Sequence, residues 1–212
     1  MLLVLENEVD PDARYFVPEI VDHLDDCEVY DYAEEGGQPS LSGVDGVVVS
    51  GSTAGVYDSD EHPWMDEEMA LVRDLVDREI PTLGICFGHQ LVNAALGGIV
   101  QHRGPTTRLV RANLGDDPLL EGVSEVIPAV HGDHVVARGR EMEPIATADY
   151  YSNFATRHRE APLWTVQYHP EFTERLLGRV REDFGWDDND LSFSDVNVEE
   201  TFRNFERLAT SK

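Results

Sequence analysis

Two short stretches hold reactive side chains at spacings that chemistry can use. In the first, Gly84-Ile85-Cys86-Phe87-Gly88, a cysteine stands between two glycines, after the apolar run "PTLGI" and before the helix-like run "GHQLVNAALGG". A nucleophile on a strand that turns sharply into a helix needs small neighbours, because backbone passes close to backbone there. Such a turn can hold the nucleophile in a strained φ/ψ region. It would set the sulfur at a helix N-terminus, where the dipole and unpaired N–H groups favour thiolate. The Phe87 N–H would then point toward a developing oxyanion. A cysteine buried at an ordinary strand–helix turn fits the same pattern, so Cys86 alone leaves both readings open.

A cysteine nucleophile needs a base. The chain has eight histidines, so position decides, not presence. In "TVQYHPE", His169 closes an apolar strand, and strand ends in parallel α/β sheets are where sites collect. Glu171, two residues on, could accept the proton of the second imidazole nitrogen and orient the ring. Pro170 would stiffen the link. Taken alone, His-Pro-Glu reads more simply as a surface turn; beside a cysteine elbow in the same chain, a Cys–His–Glu arrangement is the better reading. His89 is nearer to Cys86, but in the first turn of the following helix it should pack or bond locally. Alone, Gln90 reads as a helix residue and His131-Gly132-Asp133 as a turn. His62 and His102 have no support as site residues.

These residues need elements to position them. Leu2 to Glu6, "CEVYDY", Val44 to Gly51 and "PTLGIC" read as strands. Between and after them, "YFVPEIVDHL", "HPWMDEEMALVRDLVDREI" and "GHQLVNAALGG" read as helices, the last stopped by Gly97 and Gly98. In the middle helix Met65, Met69, Val72 and Val76 recur at spacings of three and four. Asp66, Glu67 and Glu68 occupy its first turns, where acids suit the dipole. The alternation implies an α/β fold in three layers, a mostly parallel twisted sheet with helices on both faces. The second half is β-rich: "TTRLVRAN", "SEVIPAVHGDHVV", "PIATADYYSNFATRHR" and "PLWTVQYHPE". Helical patterns follow in "FTERLLGRVREDF" and "VEETFRNFERLA", separated by the polar "GWDDNDLSFSDVN". No repeat or linker divides the chain, so residues 1–212 read as one domain, with 172–198 a helix-and-loop insertion.

Composition narrows the function classes. Asp and Glu number 42 against 16 Lys and Arg, a net charge of −26, and Lys212 is the one lysine. The acids are spread along the chain, as on a solvated surface rather than in a tail. Self-repulsion of this size destabilises a compact state in dilute buffer, and a screening length of roughly 3 Å at about 1 M salt removes most of it. The expectation is a protein of a salt-rich, halophilic cytoplasm; an acidic partner surface is the competing reading. Nucleic acid would be repelled. No run of about 18 apolar residues predicts a membrane span, and "MLLVLENEVD" does not read as a signal peptide. Two cysteines, Cys27 and Cys86, are too few for a disulfide scaffold, and a cytoplasmic location follows.

Together these stretches resemble class I glutamine amidotransferases, the Cys-His-Glu glutaminase module, over nearly the whole chain. "PTLGICFGHQLVNAALGG" resembles that family's nucleophile segment, "VQYHPE" its His-x-Glu segment and "VVVSGSTAGVYD" the segment completing the oxyanion hole. "AVHGDHVV" resembles a substrate-pocket segment, most like that of the glutaminase part of GMP synthase, and Asn204-Phe205 also fits. The resemblance implies a flavodoxin-like sheet and a set of roles. Cys86 would form a γ-glutamyl thioester, His169 would move the proton, and Glu171 would orient His169. The N–H groups of Gly51, Ser52 and Phe87 would hold the oxyanion. Gln90 and the backbone at His131, Gly132 and Asp133 would grip glutamine. No metal and no cofactor are implied. One departure stands out: relatives usually read Gly-Gly-Pro where this chain has Gly51-Ser52-Thr53, so Ser52 must suit the hole's backbone geometry despite its Cβ.

Such modules usually feed ammonia to a synthetase. The sequence has no G-x-x-x-x-G-K-[ST] loop and no second domain to bind ATP or an acceptor. The expectation is a separate ATP-dependent synthetase, of the GMP synthase type. The alternatives are a stand-alone γ-glutamyl hydrolase or peptidase and, from another class, a non-catalytic regulatory relative.

Overall fold

The computed structural model describes residues 1–211. Nine strands form one sheet: β1 (Leu2–Glu6), β2 (Cys27–Asp31), β3 (Gly46–Val49), β4 (Thr82–Ile85), β5 (Ile99–Leu114), β6 (Val126–Ala137), β7 (Met142–Ala148), β8 (Tyr151–His158) and β9 (Leu163–Val166). Six α-helices accompany them: α1 (Phe16–Asp22), α2 (Tyr32–Glu35), α3 (Trp64–Asp77), α4 (Phe87–Ala95), α5 (Leu177–Phe184) and α6 (Glu200–Thr210). The strand order is β2-β1-β3-β4-β9-β8-β7-β5-β6. β2, β1, β3, β4 and β9 pair in parallel; from β9 through β8, β7 and β5 to β6 the pairing is antiparallel. The parallel half thus takes its last strand from the far end of the β-rich half. That crossover brings the residues after β9 beside those after β4.

Alternation along the parallel strands feeds two cores. Leu2 and Val4 of β1 face one side with Val17 and Ile20 of α1 and Phe202 and Phe205 of α6. Leu3 and Leu5 face the other, with Met65, Leu71 and Leu75 of α3 and Leu91 of α4. Strands buried on both faces read as continuous apolar runs, which is why these short segments are legible in the sequence.

Several boundaries differ from the sequence reading. The buried stripe of α3 runs through Met65, Glu68, Leu71, Val72 and Leu75, while Met69 and Val76 are only half-buried. Glu68 therefore faces the core rather than water. β5 begins at Ile99, seven residues before "TTRLVRAN", and register shifts interrupt its pairing with β6 between His102 and Thr106. β9 stops at Val166, so His169 lies in the turn beyond the strand instead of closing it.

The 172–198 segment contributes a third, smaller core. Phe172, Leu176 and Val180 pack with Phe16 and Val130, and Trp186 and Phe193 cover Phe172. No helix among the described residues is long and apolar enough to cross a membrane.

Candidate active site

β4 passes into α4 through one residue. Cys86 takes φ 52° and ψ −104°, a left-handed backbone that a residue with a Cβ adopts only under constraint. Close packing supplies the constraint. A Cβ on Gly84 would lie 2.7 Å from the Gly88 carbonyl oxygen, and a Cβ on Gly88 would lie 2.3 Å from that of Val49. Glycine at both positions lets the turn press against its own helix and against β3, where the Gly88 N–H donates to Ser50 O at 3.2 Å. The Cys86 N–H donates to Val166 O at 2.9 Å, tying the elbow to β9.

Gly51, Ser52, Cys86, Gln90, His131, Gly132, Asp133 and His169 line one cleft of about 410 Å³ beyond the ends of β3, β4 and β9. Glu171 is fully buried and its Oε1 accepts from His169 Nδ1 at 2.8 Å. Phe16 stacks on the imidazole at 4.8 Å between ring centres. Burial would lower the His169 pKa, but the Cys86 sulfur and the Glu171 carboxylate beside it outweigh that and hold it well above its ordinary value. A Cβ on Gly51 would sit 3.1 Å from His169 Cε1 and 3.7 Å from Cys86 Cβ, so any side chain at 51 would crowd both groups.

The N–H groups of Gly51, Ser52 and Phe87 have no acceptor among the described residues. The Phe87 ring lies in the core 5.9 Å from Trp64, leaving its backbone as the part that borders the elbow. Ser52, at the position where the resemblance leads to an expectation of glycine, has its Oγ accepting from Ala54 N–H at 3.1 Å. Thr53 is held by Glu8, whose carboxylate accepts its N–H at 2.9 Å and its hydroxyl at 2.5 Å. Glu8 is 5% exposed and lines the same cleft.

On the opposite wall, Asp133 accepts from Tyr57 OH at 2.9 Å and from His102 Nδ1 at 2.8 Å. Partial burial and then the Asp133 carboxylate push the Tyr57 pKa up to about 12, so it remains a donor. His131 Nδ1 bonds to Asp133 O at 3.2 Å and Nε2 to Tyr150 OH at 2.9 Å. Burial, and then the neighbouring His134, lowers the His131 pKa to about 3, keeping it neutral. Gln90 Nε2 donates to Asp133 O and to Gln167 Oε1, both at 3.4 Å. The segment 172–198 reaches the cleft through Phe184.

The structure therefore brings all ten residues singled out from the sequence to one place, with Phe87 and Glu171 just behind the cleft. It adds Glu8 and Phe16, which no motif marked, Tyr57, which lies in the segment "VVVSGSTAGVYD" but is not singled out there, and His102, for which the sequence offered no support. His62 does not line the cleft. His89 is excluded as a base, and by long-range rather than local bonds: Thr165 Oγ1 lies 2.7 Å from Nδ1 and Tyr151 OH 2.9 Å from Nε2.

A family model described as glutamine amidotransferase class-I matches residues 19–183. The chain belongs to the class I glutamine amidotransferase family. It is 33% identical over 188 residues to a GMP synthase (glutamine-hydrolyzing) of Porphyromonas gingivalis, an alignment covering 82% of this chain and 35% of that protein. It is 32% identical over 142 residues to the A subunit of a GMP synthase (glutamine-hydrolyzing) of Archaeoglobus fulgidus, covering 65% of this chain and 72% of that one. The chain thus spans about a third of the length of the first curated relatives it matches. A crystal structure of a glutamine amidotransferase from Thermotoga maritima superposes with a TM-score of 0.76 at 18% identity, covering 100% of this chain and 99% of that one. One of a glutamine amidotransferase from Methylobacillus flagellatus does so at 0.70 and 18% identity, over 99% and 90%. The class I amidotransferase fold, parallel in its first half and antiparallel in its second, is shared with both.

Proposed function

We propose that this amidotransferase is a glutaminase that hydrolyses the side-chain amide of glutamine through a thioester on Cys86. One observation carries the reading: Cys86 is held at φ 52° between two glycines, in the same cleft as a buried imidazole that donates to a buried carboxylate. The Cys86 thiolate attacks the amide carbon, with the thiol proton held on His169. The amide oxygen becomes an oxyanion, taken up by the N–H groups of Phe87, Gly51 and Ser52. His169 gives its proton to the departing nitrogen, ammonia leaves, and a γ-glutamyl thioester remains. Water then attacks the thioester as His169 takes its proton, and glutamate leaves as the thiol is restored. Glu171 keeps the ring oriented and favours its protonated form. Gln90 and the backbone at His131, Gly132 and Asp133 bind the glutamine.

The ammonia, in this reading, goes to a separate ATP-dependent synthetase of the GMP synthase type. The support is the set of relatives named GMP synthase, among them the separate archaeal chain of which the match covers 72%. We further read residues 1–212 as one glutaminase module, with 172–198 an insertion walling the cleft, acting in a cytoplasm rich in salt and binding neither nucleic acid nor membrane.

The test is labelling with a diazo-ketone glutamine analogue, followed by intact mass and peptide mapping. One adduct on Cys86 is expected; folded protein without it overturns the reading. Ammonia release from glutamine, compared with γ-glutamyl dipeptides, then separates a glutaminase from a general γ-glutamyl hydrolase.

A further inference from the structure

Gln167 is fully buried in the turn just past β9, and its Nε2 lies 3.7 Å from Cys86 Sγ. That carboxamide ends a chain of buried polar groups. Asn93 Nδ2 lies 3.3 Å from Thr156 Oγ1, which lies 2.6 Å from Thr165 Oγ1. Thr165 Oγ1 is 2.7 Å from His89 Nδ1, His89 Nε2 is 2.9 Å from Tyr151 OH, and Tyr151 OH is 3.3 Å from Gln167 Oε1. Asn93, Thr156, Thr165, His89 and Gln167 are fully buried, and Tyr151 is 4% exposed.

Chemistry fixes the direction of every link. An amide nitrogen only donates and an amide oxygen only accepts, so the Tyr151 proton goes to Gln167 Oε1. The Tyr151 oxygen already accepts the Val135 N–H at 2.7 Å. Its second lone pair must accept from His89, which places the imidazole proton on Nε2. Burial lowers the His89 pKa to about 3, so the ring carries only that proton and Nδ1 accepts from the Thr165 hydroxyl. The Thr156 hydroxyl then donates to Thr165, and Asn93 donates to Thr156. Each hydroxyl and ring proton is used once, and all six bonds point the same way, toward the sulfur. Aligned hydrogen bonds in a dry interior polarise one another, the Gln167 N–H at the end of the chain among them.

We propose that Gln167 is a further catalytic residue, an N–H donor that stabilises the Cys86 thiolate, and that Tyr151 and His89 are positioning residues that fix and polarise it. This rests on Cys86 being the nucleophile. A carboxamide suits that role because it favours the anionic sulfur without holding a proton that could compete with His169.

The test is the pH dependence of Cys86 alkylation by iodoacetamide, followed by peptide mass so that Cys27 is counted separately. This readout needs neither glutamine nor the oxyanion hole. Gln167→Met keeps the length of the side chain and removes the donor. Its alkylation midpoint should move up by roughly one pH unit, about tenfold in rate on the rising limb. Tyr151→Phe keeps the ring and removes one link, and should move it by less; Gln167→Glu puts a carboxylate beside the sulfur and should move it furthest. A folded Gln167→Met protein with the wild-type profile overturns the proposal. Should that variant unfold, a wild-type profile in Tyr151→Phe overturns it equally. Failure of diazo-ketone labelling in the wild type would instead remove the nucleophile reading on which this one rests.

Discussion

Glu8 takes both polar hydrogens of Thr53 into one buried carboxylate, the N–H at 2.9 Å and the hydroxyl at 2.5 Å. Thr53 stands where the Gly-Gly-Pro pattern of the family resemblance would place a proline, next to Gly51 and Ser52. A proline would restrain this turn through its ring and could donate nothing. Here the restraint is a pair of hydrogen bonds to a side chain two residues past β1. Glu8→Ala should loosen the Gly51–Ser52 backbone and lower kcat for glutamine hydrolysis by roughly 10- to 100-fold, less than the roughly 10²- to 10³-fold of losing an oxyanion donor outright, because the N–H groups themselves remain. Thr53→Val, which keeps the N–H bond, should lose less. Equal kcat in wild type and Glu8→Ala would show that the clasp does not position the hole.

The His169–Glu171 pair makes a pH prediction with a definite sign. Burial depresses the imidazole pKa, and the Cys86 sulfur and Glu171 carboxylate raise it past that depression. In the proposed mechanism the active form holds the proton on His169, so activity falls at high pH as that proton is lost. Glu171→Gln removes one of the raising charges and should draw the alkaline limb of the kcat/KM profile to lower pH. It should also lower kcat, by roughly 10²- to 10⁴-fold. Cys86→Ala should abolish hydrolysis. A Glu171→Gln enzyme with an unmoved alkaline limb would contradict the role assigned to that carboxylate.

What the sequence makes legible is whatever repeats along one element or crowds into one turn. The apolar runs of β1, β3 and β4, the glycines around Cys86, and the His169–Glu171 spacing are of that kind. The boundary of β5 escapes such a reading because Gln101, His102 and Arg103 are polar and exposed, so the strand they form has no apolar alternation. Glu68 reads as a surface acid because charge is a poor guide when a single buried partner, Asn7, receives it. Glu8 with Thr53, His102 and Tyr57 with Asp133, and Gln167 with Cys86 are meetings between distant segments. Side-chain spacing carries no information about such pairs; only the strand order, with β9 inserted beside β4, brings Gln167 to the thiol.

Surface charge yields a prediction about salt. Pairing every one of the 16 cationic side chains would still leave 26 of the 42 carboxylates without a cation. Their repulsion acts over about 10 Å at 0.1 M salt and about 3 Å at 1 M. A gain of about 3 kcal/mol on screening would read as a rise in Tm of roughly 6–12 °C for a chain of this size. Differential scanning calorimetry between 0.1 and 2 M NaCl checks it, with sucrose as an uncharged stabiliser for comparison. Equal melting at both salt concentrations would refute charge repulsion as a stability determinant.

Glu68 supplies the last prediction. It is fully buried on α3, its Oε1 accepts from Asn7 Nδ2 at 3.1 Å, and Oε2 and Asn7 Oδ1 have no partner among the described residues. Burial raises its pKa to about 8, with the Asn7 hydrogen bond opposing. The folded protein therefore keeps a proton at pH 7 that the unfolded chain, near 4.5, has released. More protons bound when folded means that stability falls as pH rises between those two values. At pH 7 the penalty is about 3 kcal/mol, at 1.36 kcal/mol per pH unit. Glu68→Gln has nearly the same shape, needs no proton, and its amide can donate to Asn7 Oδ1. Urea unfolding should find this variant more stable than wild type by about 2–3 kcal/mol at pH 7 and nearly equal to it at about pH 4.5, where the folded wild type and roughly half of its unfolded chains carry the proton. Because Asn7 N–H also donates to Ser50 Oγ at 3.0 Å, beside Gly51, kcat measured in the same variant reports whether the buried pair is coupled to the cleft. A Glu68→Gln enzyme with the same stability difference from wild type at pH 7 as at about pH 4.5 would mean that Glu68 is ionised in the folded protein.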